Sequence, residues 1–139
     1  MLYLTTQEVI EMHDSEIPEA PLSRRDLLDS AVMSPRQSAG GQDAYPTIHL
    51  KAAALMRGVA ANHAFVDGNK RTALLATFAF YGLNGWLLEA PDAELIHLLV
   101  DIVVDHIEVP KIAEYLEQWA SPIPDPEWIY DNEEGGETQ

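Results

Sequence analysis

The chain has 139 residues, 47% of them hydrophobic, enough for one domain whose core needs neither disulfide nor structural metal, and too few for two. It contains no cysteine, which excludes disulfides, thiolate zinc sites and a cysteine nucleophile and agrees with a reducing compartment. With 23 acidic against 8 basic side chains the net charge is −15, a field that repels nucleic-acid phosphates and anionic lipid, so no direct nucleic-acid binding is expected.

Met1-Leu-Tyr-Leu-Thr-Thr-Gln-Glu8 lacks the basic start and apolar core of a signal peptide. No stretch approaches the roughly 20 apolar residues of a membrane span, and a cytoplasmic location is expected. Thr5 and Glu8 have the spacing of a capping box, which predicts a first helix to about Asp14. Residues 15–23 hold Pro18 and Pro21 and read as a loop, after which Ser23 or Arg24 opens a short helix through about Met33. Residues 34–46, with Gly40-Gly41 and Pro35 and Pro46, predict an exposed, hairpin-like flap loop that docks a substrate protein.

From Thr47 to Asn62 the residues Ile48, Ala52, Leu55, Met56, Val59 and Ala60 recur at helical spacing, and the last turn of this helix delivers His63. The next helix, Asn69 to Asn84, is apolar almost all round, as a central buried helix should be, and Gly85 suits its C-terminal stop. A further helix is expected from Asp92 to about His106. Pro110, at a first helical position, starts a last one over Lys111 to Ala120. No series of alternating strands appears, so an all-α bundle packed around the motif helix is expected.

Residues 1–120 form the expected domain, with 17 acidic and 8 basic side chains, net −9. Residues 121–139 add Asp125, Glu127, Asp131, Glu133, Glu134 and Glu137 without a basic residue and are expected to be an acidic, disordered tail. Within the acidic body, Lys70-Arg71 and Arg24-Arg25 are the only adjacent basic pairs. A locally positive pocket on such a molecule suits a small anion such as a nucleotide.

The run His63-Ala-Phe-Val-Asp-Gly-Asn-Lys-Arg-Thr72 holds the chemistry. Gly68 and Asn69 permit a tight turn that aims backbone N–H groups at an anion, and the helix that follows adds its own donors and dipole. Lys70 and Arg71 in the first turn oppose that dipole, a conflict that a bound polyanion removes. Arg71 offers a bidentate fork and Lys70 a point charge; the alternative for both is a solvated helix face. His63 is a candidate general base, or a helix-end histidine bonded to a carbonyl. Asp67 is a candidate Mg²⁺ ligand, one carboxylate sharing the ion with nucleotide phosphates, or the helix N-cap. Asn69 can act as cap, phosphate ligand or loop brace, and Phe65 as an anchor of the loop. His13, His49, His97 and His106 form no metal pattern and are expected in ordinary core or surface roles.

This run resembles the signature of the Fic/Doc family, H-x-F-x-D/E-G-N-x-R, and its Lys-Arg-Thr ending is most similar to the Doc (death-on-curing) branch. Leu27-Leu28-Asp29-Ser30-Ala31, Tyr45-Pro46-Thr47 and Leu83-Asn84-Gly85 sit where Doc-like chains carry similar runs. The resemblance covers residues 2 to about 119 and implies a Fic-type helical bundle with His63 as catalytic residue activating a protein hydroxyl, Asp67 on Mg²⁺, and Gly68, Asn69, Lys70 and Arg71 on the phosphates of ATP. Doc proteins pass the γ-phosphoryl group to a threonine of a translation elongation factor and so stop translation. AMP-transferring Fic proteins carry glycine where Lys70 stands and a second arginine where Leu74 stands. Gly68 departs the other way, because the founding Doc protein has alanine there, so AMP transfer to a protein hydroxyl is the alternative; a catalytically silent, antitoxin-binding module is another. Many Fic proteins carry an inhibitory helix reading S/T-x-x-x-E-G/N. Glu134-Gly135 comes nearest here, but Tyr130 occupies the Ser/Thr position. The resemblance therefore implies restraint by a small Phd-type antitoxin.

Overall fold

The computed structural model describes residues 1–124. Its first helix, α1 (Thr6–Glu16), opens on the expected capping box: Glu8 N–H donates to Thr5 Oγ1 at 3.1 Å and Thr5 N–H to Glu8 Oε1 at 2.8 Å. It runs two residues past the expected end at Asp14. After the proline-bearing loop comes α2 (Arg25–Met33), then a single 3₁₀ turn over Ser34–Arg36.

The flap expected over residues 34–46 is a minimal hairpin, β1 (Ser38–Ala39) antiparallel to β2 (Gln42–Asp43), with Gly40-Gly41 at its tip. Its base is tied down by a residue with no place in the sequence reading. Lys51, on the next helix, is 3% exposed. Its ammonium donates to Pro35 O at 3.1 Å and lies 3.4 Å from Asp43 Oδ2, partners that a buried charge requires.

The next two helices, α3 (Ile48–Ala61) and α4 (Asn69–Leu83), form the central pair of the bundle. Thr47 caps α3 by accepting from Leu50 N–H at 3.1 Å. Ala52, Ala53, Leu55, Met56, Val59 and Ala60 of α3 and Ala73, Ala76, Phe80 and Tyr81 of α4 are all buried. α2 crosses α3 so closely that a Cβ on Gly58 would lie 2.9 Å from that of Ala31. The phenol of Tyr81, pushed to a higher pKa by burial and the nearby Glu117 charge, stays protonated and is hydrogen-bonded with His49 Nδ1 at 2.9 Å. α1 lies against α4.

Beyond α4 the chain forms β3 (Trp86–Leu88), α5 (Asp92–Val104) and α6 (Val109–Trp119), the last starting with Pro110 in its first turn, and then β4 (Ala120–Pro122). α5 ends before His106, which takes a left-handed angle, φ +53°. β3 and β4 pair antiparallel, Trp86 opposite Pro122 and Leu88 opposite Ala120. This small sheet was not expected. It also carries the ordered body past residue 120, because Ile123 N–H donates to Gly85 O at 2.9 Å. Pro122 is tolerated because the strand is an edge. The fold is therefore mainly α, as expected, with one minimal hairpin and one long-range two-stranded pairing added. No helix among the described residues is long and apolar enough to cross a membrane. The acidic stretch 125–139, with Trp128 and Glu134-Gly135, lies outside the described residues.

Candidate active site

The loop joining α3 to α4 is short of hydrogen-bond partners of its own, and the segment before α2 supplies them. Ser23 and Arg24 N–H both donate to Ala64 O, at 2.8 and 2.9 Å, and Val66 N–H donates to Pro21 O at 3.1 Å. Leu22 and Phe65 form an isolated antiparallel bridge. Within the loop, the Asn69 side chain closes a ring on Phe65: Oδ1 accepts from Phe65 N–H at 3.0 Å and Nδ2 donates to Phe65 O at 2.9 Å. Of the roles open to Asn69, its side chain takes the brace. Phe65 itself is 2% exposed, the anchor expected of it.

So fixed, the loop presents its polar residues on one side. His63 leaves the end of α3 at φ +54°, an angle few non-glycine residues adopt, and it is exposed. His63, Asp67, Gly68, Asn69, Lys70 and Arg71 line a single cavity of about 450 Å³, together with Ile17, Ala60, Val66 and Val103. All the expected site residues are thus brought together. Gly68 is the N-cap of α4, with φ +85°, and no side chain among the described residues caps that terminus. The first-turn N–H groups therefore lack a side-chain acceptor, and the residues that carry them line the cavity. Asp67 is not the cap. Its Oδ1 accepts from Gly68 N–H at 2.8 Å, leaving Oδ2 available at the exposed rim.

A second groove of about 390 Å³ adjoins the first and shares Lys70 and Arg71 with it. Its walls are Leu74 and Leu75 of α4 and Leu95, Ile96 and Leu99 of α5, with Glu16 and Asp92 at the edge. Glu16 Oε1 stands 3.6 Å from Arg71 Nη1, an exposed pair that holds the guanidinium weakly and that an incoming phosphate can replace. No group of three or more His, Asp or Glu among the described residues could hold a metal alone. A lone carboxylate in a cavity that also holds Lys70 and Arg71 nevertheless fits Mg²⁺, which is commonly held by one or two carboxylates plus substrate phosphates and keeps several waters.

The family model described as the Fic/DOC family matches residues 3–81, which take in α1 through most of α4 and the whole loop. The chain belongs to the Fic/DOC family. It is also 53% identical over 64 residues to a curated protein named Toxin Doc from Mycolicibacterium smegmatis, a match that covers 46% of this chain and 49% of that one. The aligned stretch thus spans about half the length of that relative.

For a Fic/DOC chain, the structure adds contributors that sequence reasoning missed, all from α1 and its end. Glu16 pairs with Arg71, Ile17 lines the cavity, and His13 lies beneath the loop, fully buried. Their only signal was that α1 carries polar residues at its C-terminal end, and nothing local says which element that end meets. Ile17 also explains Gly68. A Cβ at position 68 would collide with Ile17 Cδ1 and come within 3.3 Å of His13 Cδ2. Gly68→Ala is expected to lose about 1–2 kcal/mol from its left-handed angle, and more from the collision. Adding Ile17→Ala should return the collision part and not the backbone part, read as denaturation midpoints of the single and double variants.

Proposed function

We propose that this Fic/DOC chain is the toxin of a toxin–antitoxin module, a protein kinase that transfers the γ-phosphoryl group of ATP to a hydroxyl, a threonine of a translation elongation factor, and so blocks translation. The observation that carries this reading is the convergence of His63, Asp67, Lys70 and Arg71 on one cavity at the uncapped start of α4. The kinship with a protein named Toxin Doc supports the toxin assignment.

In the proposed reaction His63 takes the proton of the substrate hydroxyl as its oxygen attacks the γ-phosphorus. The new O–P bond forms as the bond from the γ-phosphorus to the bridging oxygen breaks, and ADP leaves with that electron pair. Arg71 and the first-turn N–H groups hold the phosphates in line, and Lys70 adds a positive charge beside them. Asp67, together with the phosphates, would hold Mg²⁺, which when bound would add further neutralisation of their charge.

Phosphoryl transfer is preferred over AMP transfer because Leu74 faces the apolar groove where an arginine would be needed for the outer phosphates. Gly68 does not weigh against this. Its glycine is accounted for by its own left-handed backbone angle, with Ile17 Cδ1 standing where a Cβ would go, whatever the nucleotide does. Restraint falls to a small Phd-type antitoxin, and the apolar groove with its basic pair suits a segment that folds onto it. The hairpin over residues 38–43 is the segment we propose to dock the target protein.

The test is a pair of reactions of the purified protein with Mg²⁺ and a lysate containing elongation factors, one with γ-labelled and one with α-labelled ATP. Protein label from the γ position alone, absent with His63→Ala, is expected. Label from the α position would make the chain a nucleotidyltransferase. No label from either, with antitoxin binding intact, would favour the silent module.

A further inference from the structure

Beneath the loop sits a histidine for which the proposed reaction has no use. His13 is 0% exposed. Its ring lies face to face on Phe65, centroids 3.7 Å apart and planes within 7°. Its Nε2 is 2.9 Å from the main-chain carbonyl oxygen of Asp67, and its Nδ1 is 2.9 Å from Asp14 Oδ1. A carbonyl oxygen only accepts, so the Nε2 proton is the donor to Asp67 O. The Asp14 carboxylate flanks the ring on its Nδ1 side and can accept from it only where that nitrogen also carries a proton.

The position of that carbonyl matters because a peptide unit is rigid. In a trans peptide the C=O of Asp67 and the N–H of Gly68 share one plane and point opposite ways; no peptide bond among the described residues is cis. The C=O end is held by His13, and the N–H end donates to Asp67 Oδ1 at 2.8 Å. Turning the plane would break both bonds. Holding one end therefore sets the other, and with it the place of the carboxylate that faces the cavity. The geometry points to His13 as the positioning residue for the Asp67 carboxylate, aiming it at a nucleotide-bound divalent cation. This role rests on the metal-and-phosphate reading of the loop proposed above.

Two substitutions separate the bond from the packing. His13→Phe keeps a ring against Phe65 and loses the donor, whereas His13→Gln keeps a donor at about the reach of Nε2 and loses the stack. The readouts are calorimetric titration with ATP, with and without Mg²⁺, and the ¹⁵N–¹H resonance of Gly68 in the nucleotide-free protein. Asp67→Ala serves as reference. His13→Phe is expected to lose about tenfold of the Mg²⁺-dependent gain in affinity, the scale for outer partners of metal ligands, with binding in the absence of Mg²⁺ unchanged and the Gly68 amide shifted. His13→Gln should restore most of both.

A His13→Phe protein with the full Mg²⁺ gain and an unmoved Gly68 amide would overturn the assignment. So would equal losses in both variants, which would make His13 a packing residue only; if His13→Phe does not fold, loss in His13→Gln overturns it alone. Should wild type and Asp67→Ala show the same Mg²⁺ response, the metal reading itself fails, and the Gly68 amide still decides whether His13 holds the peptide plane.

Discussion

His63→Ala is expected to lower the transfer rate by about 10²–10⁴-fold, the range for losing a positioned general base, while leaving the fold and the nucleotide affinity in place. The separation of effects follows from where the residue sits. His63 lies one position past the C-cap of α3, Asn62, and its side chain is exposed. The contacts that hold the loop belong to its neighbours: Asn62 Nδ2 donates to Leu27 O at 3.2 Å, and Ala64 O accepts from Ser23 and Arg24. The backbone is left-handed at residue 63 before and after the change, so little strain is added. A surface substitution of this kind changes stability by about 0.5 kcal/mol or less. In the proposed reaction the phosphate contacts come from Arg71, Lys70 and the start of α4, which the substitution does not touch. Single-turnover rates at saturating ATP, nucleotide titrations and a thermal melt, run together, check all three parts. A variant that transfers at the wild-type rate would place the base elsewhere; one that loses nucleotide affinity in step with rate would make His63 a binding residue.

How far the sequence alone reaches is shown by the elements on either side of this loop. Thr5 with Glu8, and Thr47, declare their helices because a capping side chain and the N–H it satisfies lie within three residues of each other. Gly40-Gly41 declares the hairpin tip for the same local reason. The pairing of Trp86–Leu88 with Ala120–Pro122 is different. Its strands have three residues each, too few for alternation to register, and its partners are more than thirty positions apart. The site divides in the same way. His63, Asp67, Gly68, Asn69, Lys70 and Arg71 are contiguous enough to be read as one motif, and they do line one cavity. Ile17 lines that cavity, Glu16 meets Arg71 and His13 lies under the loop only because α1 packs on α4, a tertiary fact that no local pattern specifies. The role of Asn69 could not be read either, since cap, ligand and brace all begin from the same side chain and only the position of Phe65 decides among them.

Phe65→Ala should have the largest effect on stability, about 3–5 kcal/mol, the usual loss when a buried phenylalanine is truncated. Against a total of roughly 5–15 kcal/mol for a domain, that is enough to bring a variant close to unfolding at growth temperature. Phe65 is among the largest fully enclosed side chains, belongs to the main core, and presents its ring to His13. Removing it leaves a void that neighbouring backbone cannot close, because Phe65 N–H and O are both committed to Asn69 and its strand-like bridge to Leu22. The next residue provides the contrast. Val66 is 66% exposed, so Val66→Ala is expected to shift stability by about 0.5 kcal/mol or less. Urea midpoints at unchanged m-value measure both. The pair also separates anchoring from chemistry, because the stability loss in Phe65→Ala arises one layer beneath the cavity. At a temperature where that variant is still folded, its Mg²⁺-dependent nucleotide affinity should fall together with the His13 contact that Phe65 supports. If the affinity instead stays at the wild-type value while the midpoint drops, the loop holds its shape through Asn69 and residues 21–24 alone, and the aromatic anchor serves only the core.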